Sequence, residues 1–312
     1  MNYPTLTIVI VNWNAGNLLR ECIASIAPTS KEGFILSKVI IVDNASSDNS
    51  LSDIEKLGVS VTLIQNSENN GFATACNQGA AESTSDYLLF LNPDTRLFED
   101  SLSSPITFMQ SSKNTDVGIV GIQLLDENDN VARSCSRTPS LIIFLVQALG
   151  FNRLPKFRHL THSMQEWPHD KTRDVDQVIG AFFLIRQSLF ESLGGFDQRF
   201  FVYFEEVDLS YRVSKLGYRS IYLSNAQAFH AGCGTSDQVK AHRLFFSLRS
   251  RILYGFKHFT PFQAWALFFI TLFLEPLTRV TFSVLKGGWR EAQHTLRGYM
   301  MLIGDLRNIL SH

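Results

Sequence analysis

Tyr87-Leu88-Leu89-Phe90-Leu91 is a continuous apolar run that stops at Asn92-Pro93-Asp94. A short apolar run closed by a turn signal reads as a buried strand. Buried strands of this kind belong to parallel sheets, whose ligands bind at the strands' carboxyl ends. Pro93 lacks an N–H and biases Asn92 away from helix, so the strand must end there. Asp94 is then presented at the open end of the sheet, where a carboxylate can hold a hard divalent cation and the cation a diphosphate. The plain alternative is a strand-to-helix turn with Asp94 as an N-cap. Two earlier apolar runs end in the same way: residues 6–11 in Asn12-Trp13-Asn14, and residues 38–42 in Asp43-Asn44. One such end is turn chemistry. Three together suggest a site that reads polar ligands and a metal through side chains. The turn after the first run contains no G-x-G-x-x-G and no P-loop lysine, so a Rossmann fingerprint and a Walker A loop are both excluded.

The elements that must position these residues follow from periodicity. Residues 6–12 and 38–42 read as strands, with a helix over 16–26 carrying Leu18, Leu19, Cys22, Ile23 and Ile26 at helical spacing. Ser46 or Ser47 is expected to cap a helix containing Leu51, Ile54 and Leu57. Residues 59–64 alternate like a strand, Asn69-Asn70-Gly71 is a turn, and Ala73, Ala75, Ala80 and Ala81 mark a helix. Strands alternating with helices of about 10–15 residues give a mostly parallel, doubly wound α/β sheet. Residues 117–124 read as a further strand, and 126–174 as irregular chain, a length that often forms a lid or acceptor site. Residues 175–185 read as a strand pair or a strand kinked at Gly180-Ala181, and Ser188–Leu193 as a short helix closed by Gly194-Gly195. Glu205–Leu216 reads as a helix with Leu209, Val213 and Leu216 as its core stripe, an Asp208–Arg212 pair at i,i+4 and Gly217 as C-cap. Tyr218–Leu223 is a final strand, Ala226–His230 leads into a glycine-containing loop over 230–236, and the chain beyond Val239 is helical.

The 312 residues suit one large domain with an appendage, here 1–238 and 239–312. Formal charge divides unevenly between them. Residues 239–312 hold ten Lys/Arg against three Asp/Glu, whereas 1–238 hold 18 against 26. A basic, apolar tail on an acidic body suggests that the tail meets something anionic. Its run Phe262–Leu274 is almost wholly apolar but 13 residues long, too short to span ~30 Å of hydrocarbon. Glu275, Pro276 and Arg279 then interrupt it. The run reads as an interfacial anchor on anionic lipid, or as a helical dimer interface or a helix packed on the catalytic domain. The four cysteines are scattered without a C-x-x-C pair, which fits a reducing cytosol and argues against a zinc ribbon. The start, Met1-Asn2-Tyr3-Pro4, has no basic segment followed by an apolar one, so no signal peptide is expected.

Several segments together resemble the family 2 inverting glycosyltransferases of GT-A fold. They are Thr7-Ile8-Val9-Ile10-Val11-Asn12-Trp13-Asn14, Val42-Asp43-Asn44-Ala45-Ser46-Ser47-Asp48, Asn70-Gly71-Phe72-Ala73, Asn77, Asn92-Pro93-Asp94, Gly194-Gly195-Phe196-Asp197, Tyr203-Phe204-Glu205-Glu206-Val207-Asp208-Leu209 and His230. The Asn-Pro-Asp stop and the Tyr-Phe-Glu-Glu-Val-Asp-Leu segment are most similar to the rhamnosyltransferase-like branch. The match covers roughly residues 5–236.

The resemblance implies a nucleotide-diphospho-sugar donor (dTDP, UDP or GDP), with dTDP-L-rhamnose first, and a saccharide or lipid-linked saccharide acceptor for cell-surface polysaccharide. It places Asp43 on the base or ribose and Asn70 and Gly71 along the nucleotide. Asn12, Asn14, Asn44, Asn77 and Asn92 complete the donor-side set. Asp94 would hold Mg²⁺ or Mn²⁺ on the diphosphate, with His230 completing that site and Gly232 and Gly234 letting backbone approach a phosphate. Asn92 stands where the family often has a first aspartate. Glu206 is taken as the general base with Glu205 as its orienting neighbour, the two roles being exchangeable, and Asp197 as an acceptor ligand. The carboxylate pair at a helix N-terminus is expected to stay ionised. The implied setting is the cytoplasmic face of the cell membrane, with peripheral contact through the tail and a possible homodimer. No nucleic acid is implied. Two alternatives stand beside this: a polyprenyl-phosphate glycosyltransferase, and a non-catalytic saccharide-binding or scaffold member of the fold.

Overall fold

A computed structural model describes residues 3–29, 33–232 and 240–311. In chain order the strands are β1 (Thr5–Asn12), β2 (Ile35–Asp43), β3 (Val61–Gln65), β4 (Tyr87–Leu91), β5 (Thr95–Leu97), β6 (Val117–Leu125), β7 (Cys135–Ser136), β8 (Arg173–Val175), β9 (Gln177–Val178), β10 (Phe182–Arg186) and β11 (Arg219–His230). The helices are α1 (Asn17–Thr29), α2 (Phe72–Ala81), α3 (Ser103–Gln110), α4 (Leu141–Ala148), α5 (Gln187–Ser192), α6 (Glu205–Lys215), α7 (Lys240–His258), α8 (Pro261–Phe269), α9 (Glu275–Leu285), α10 (Trp289–Gly304) and α11 (Leu306–Leu310). They group into two compact units.

The first unit comprises Met1–Ser136, Trp167–Gln198 and Glu205–Thr235. Its main sheet runs β3-β2-β1-β4-β10-β6-β11-β5, with β8 beside β11. The β-branched and leucine-rich runs of β1, β2 and β4 pair in parallel, as does β3 with β2. The strand β10 enters antiparallel between β4 and β6, so the sheet is mixed rather than wholly parallel. Both faces are covered. Ile8, Ile10, Leu89 and Leu91 point into a core shared with Leu19, Cys22, Ile23 and Ile26 of α1. On the other face α2 lies so close that a Cβ on Gly79 would meet Val9 Cγ1 at 2.4 Å. There Phe90 packs edge-on against Phe196 at 4.9 Å between ring centres and beside Phe190 at 5.1 Å. Burial on both faces is why these strands carry no polar alternation.

Two expected elements differ. Residues 46–57 form turns and a short 3₁₀ segment, Ile54–Lys56, instead of a helix. Here Ser46 N–H donates to Asp43 Oδ2, Ser47 N–H to Asn14 Oδ1 and Ser50 N–H to Asp48 Oδ1. These side-chain acceptors replace the helical ladder. The final strand expected over 218–223 runs on as β11 to His230, its register with β6 shifting between Leu223 and Gln227.

The second unit comprises Arg137–Glu166, Arg199–Phe204 and Ser236–His312, so it draws in two earlier segments besides the tail. The helix α4 lies inside the stretch read as irregular. Its sequence LIIFLVQA is apolar on every side, so periodicity could not reveal it, although Ser140 caps it by accepting from Ile143 N–H. The apolar run of the tail is longer than expected. A single helix runs over Pro261–Leu285, 25 residues, through Glu275 and Pro276. A π turn over Ile270–Leu274 leads into Pro276 and accommodates its missing N–H. Glu275 is buried and held by Arg251 and Arg279, the latter at 2.7 Å, so its charge does not break the helix.

Candidate active site

The parallel strands deliver their polar ends together. Asn44 N–H donates to Asn12 O at 2.8 Å and Asn66 N–H to Asp43 O at 2.9 Å, which staples the ends of β1, β2 and β3 side by side. Asp43 is buried, and its Oδ1 accepts from Asn12 Nδ2 at 2.7 Å. The same Asn12 amide reaches Ser50 Oγ at 2.8 Å, while its Oδ1 is enclosed without a partner. Asn12 therefore braces Asp43 from below. Asn14 sits at φ 52°, in the left-handed region that Asn tolerates, and binds Ser46 and Ser47. Between them Trp13 is 39% exposed at the end of β1.

Asn44 Nδ2 donates to Gly71 O at 3.1 Å and its Oδ1 accepts from Asn66 Nδ2 at 2.9 Å. Gly71, at φ 84°, is the residue before α2 and offers no side-chain cap, so the first amides of α2 open beside the strand ends. Asn70 is half-buried in the turn where Asn69 Oδ1 accepts from Gly71 N–H. Asn77 stands apart from this group. Its amide donates to Phe196 O at 2.8 Å and accepts from Phe196 N–H at 2.9 Å, so it holds the Gly194–Asp197 loop.

No helix follows Asp94, which removes the N-cap alternative. The chain turns directly into β5, which pairs antiparallel with β11 so that Thr95 stands opposite His230. Asp94 O accepts from Ala231 N–H at 3.1 Å. That register brings Asp94 Oδ1 to 3.4 Å from His230 Nε2, with both side chains mostly buried. The separation is long for a strong hydrogen bond. A carboxylate and an imidazole are donors that Mn²⁺ or Mg²⁺ accepts, leaving positions for phosphate oxygens and water. Among the described residues no cluster of three or more His, Cys, Asp or Glu side chains that could hold a metal ion exists. Asn92 is half-buried beside it, its carbonyl accepting from Thr95 N–H at 3.1 Å. Gly232 has φ 76°, and Cys233 and Gly234 lie outside the described residues.

Glu205 and Glu206 open α6 as expected, but burial overrides the helix dipole. Glu205 is 5% exposed and Glu206 half-buried, and Oε2 of each is enclosed without a hydrogen-bond partner. Desolvation pushes Glu206 up to about 7, against the pull of its own and Val207's backbone N–H groups. Glu205 rises well above the usual carboxylate range, through burial first and then the charge of Glu206. The pair therefore binds a proton near neutrality instead of standing fully ionised. Cys76 on α2 feels both charges after its own burial, which places the pair against α2. The two residues leading into α6, Tyr203 and Phe204, have φ 69° and 70°. Consecutive bulky left-handed residues cost about 1–3 kcal/mol each and cluster at functional sites.

One residue of the site had no signal beyond an i,i+4 spacing. Arg212 pairs with the fully buried Asp208 at 2.8 Å, and also donates to Leu193 O and Gly195 O, both at 2.8 Å. It locks the Gly194–Asp197 loop to the helix that carries the carboxylates. A side chain on Gly195 would meet Asn77 Oδ1 at 2.6 Å, which explains the glycine. Asp197 is half-buried at the end of that loop.

Comparison with known proteins bears on the family and the fold. The profile of "Glycosyl transferase family 2" matches residues 7–208. An N-acetylglucosaminyl-diphospho-decaprenol L-rhamnosyltransferase of Mycobacterium tuberculosis is 28% identical over 250 residues, covering 77% of this chain and 80% of its own. The rhamnosyltransferase WbbL of Escherichia coli K12 is 33% identical over 150 residues, 47% of this chain and 51% of its own. Among solved structures, the mannosyltransferase PcManGT from Pyrobaculum calidifontis, in complex with GDP-Man and Mn²⁺, superposes with a TM-score of 0.59 at 15% identity, covering 98% of this chain and 88% of that one. The fold is that of the GT-A glycosyltransferases.

Proposed function

The chain belongs to the Glycosyl transferase family 2, and from that premise we propose that it is an inverting transferase moving L-rhamnose from a nucleoside-diphosphate donor to a lipid-linked saccharide. The observation that carries the reading is the buried carboxylate pair opening α6, with unpartnered oxygens and a proton affinity near neutrality. A general base works best when its pKa lies near the working pH. In the transfer, Glu206 accepts the proton of an acceptor hydroxyl as that oxygen bonds to the anomeric carbon. The bond from that carbon to the donor's diphosphate breaks, its electron pair leaving with the diphosphate. Glu205, its carboxyl held well above the usual carboxylate range by burial and then by the charge of Glu206, stands beside that base.

Asp43, braced by Asn12, reads the nucleoside. The Asn70-Gly71 turn and the uncapped start of α2 lie along the donor, favourable for an anion because the first amides point at it. Asn14, Asn44 and Asn77 then serve to hold these loops, and Asn92 and Asp197 line the donor and acceptor sides. Asp94 and His230 would hold Mg²⁺ or Mn²⁺, which when bound neutralises charge on the leaving diphosphate. The rhamnosyl donor and lipid-linked acceptor are supported by the relatives' names. The acceptor's lipid and the basic second unit favour a place on the cytoplasmic face of the membrane.

The test is release of nucleoside diphosphate by the purified chain with dTDP-, UDP- and GDP-sugars, Mn²⁺ and a lipid-linked N-acetylglucosamine. Turnover with dTDP-L-rhamnose above the other donors is expected. Turnover with none, when the same donors bind, would refute the transferase reading.

A further inference from the structure

The second unit carries fifteen Lys/Arg against five Asp/Glu, while the first carries thirteen against twenty-four. Its surface is unusual in two adjoining places. Along the helix Pro261–Leu285, one face is buried within the unit at Ala264, Leu267, Phe268, Thr271 and Glu275. The opposite face presents Phe262, Trp265, Phe269, Phe273 and Leu277 at successive turns, each 44–82% exposed. Next to the end of this helix lies residues 150–160. Gly150 approaches the Phe282 ring, and the Arg153 guanidinium lies 4.6 Å over it. Phe151 stacks on Phe157 at 5.4 Å, and Lys156 covers Phe157 at 5.0 Å. Arg153, Lys156 and Arg158 are exposed there beside the exposed Phe151 and Leu154.

We propose that this face docks on an anionic lipid bilayer, with 150–160 as its charge-reading element and the helix Pro261–Leu285 lying in the plane of the interface. At 25 residues, ~37 Å by the helical rise, that helix is long enough to cross. Its buried face rules crossing out. It packs on α7, which carries Arg249 paired to Asp305 and Arg251 paired to Glu275, and a helix so charged does not enter hydrocarbon. An apolar stripe with adjacent cations and no exposed acid in 150–160 matches a lipid surface in both chemistries. A second copy of the chain would bring the same cations against themselves. The inference stands on this surface and needs no turnover, so its failure leaves the transferase reading intact.

Vesicle co-sedimentation of the full chain tests it, with phosphatidylcholine alone and with about one-third phosphatidylglycerol. Neutralising Arg153, Lys156 and Arg158 together to Gln should weaken binding to the anionic vesicles about 10²-fold, three basic contacts' worth. Phe269→Ser with Phe273→Ser should weaken binding to both vesicle types more than about tenfold. All five positions are exposed or ring-edge surface, so melting curves should stay close to wild type. Wild-type binding should also fall in about 0.5 M salt without vanishing. Unchanged anionic-vesicle binding by the triple variant overturns the proposal. So does a dimer in sedimentation equilibrium that the phenylalanine variant abolishes, with no vesicle binding by the wild type.

Discussion

The proton affinity of Glu206 can be turned into a measurable pH profile. A carboxyl at its usual 4.5 is almost wholly ionised at pH 6 and at pH 8, so a base of that kind gives a flat profile between them. Burial moves Glu206 to about 7. The ionised fraction then rises about tenfold from pH 6 to pH 8, and kcat/KM should rise with it before levelling off. The apparent value belongs to the pair, because Glu205 lies alongside. Glu206→Gln should bind donor normally and lose turnover by about 10²–10⁴-fold, the worth of a positioned base. The same shift acts on stability with a definite sign. Between 4.5 and about 7 the folded protein binds this proton and the unfolded chain does not, so stability falls as pH rises through that window. The loss is up to about 3 kcal/mol above it. Glu206→Gln lacks this limb and should melt several degrees above wild type at pH 8, with the gap closing toward pH 5. Initial rates across the pH range and paired thermal melts check both. A flat wild-type profile from pH 6 to 8, or a variant no more stable at pH 8, would refute the reasoning that burial governs the pair. Collapse of turnover in Glu205→Gln with near-normal Glu206→Gln would move the base to Glu205.

Asp94→Ala should abolish Mn²⁺-dependent binding of a nucleoside diphosphate in calorimetry while leaving the melting point near wild type, because Asp94 lies at an open strand end rather than in the core. Arg212→Ala removes a cationic partner of a fully buried carboxylate and two backbone anchors; a loss of about 3 kcal/mol is expected in denaturant unfolding, and Arg212→Lys should recover only part of it because Lys cannot bridge three acceptors in one plane. Glu275→Gln should cost about 3–5 kcal/mol by leaving Arg251 and Arg279 unpaired. Glu275 is held below the usual carboxylate range, by the charges of Arg251 and Arg279 against its burial, so its contribution is present above 4.5 and is lost as pH falls through its folded value. Acid melts of the Gln variant should lack that limb.

The strands and their polar stops were legible in the chain because buried parallel strands are apolar throughout and must end where Pro93 or an Asn/Asp turn intervenes. The carboxylate pair, the Asp208–Arg212 spacing and the Gly217 stop mark α6 for the same local reason, a period of 3.6 with its own caps. The helix α4 and the continuity of Pro261–Leu285 were not legible. The first has no polar face to give a period. The second contains Glu275 and Pro276, which only a buried partner, Arg251, and a π turn make compatible with a helix.

By itself, then, the sequence determined the parallel strands β1 to β4, their open ends and the residue types gathered there, since those follow from hydrophobic pattern and turn chemistry within short windows. The tertiary structure decided what each residue touches at those ends. The pairing of β5 with β11 brings Asp94 to His230, residues far apart in the chain. Asn12 and Asn77 become braces because the groups they bind arrive from Asp43 and Phe196. Glu205 and Glu206 hold a proton near neutrality because the fold withdraws water from them, and desolvation is a property of the packed surroundings that no local spacing encodes.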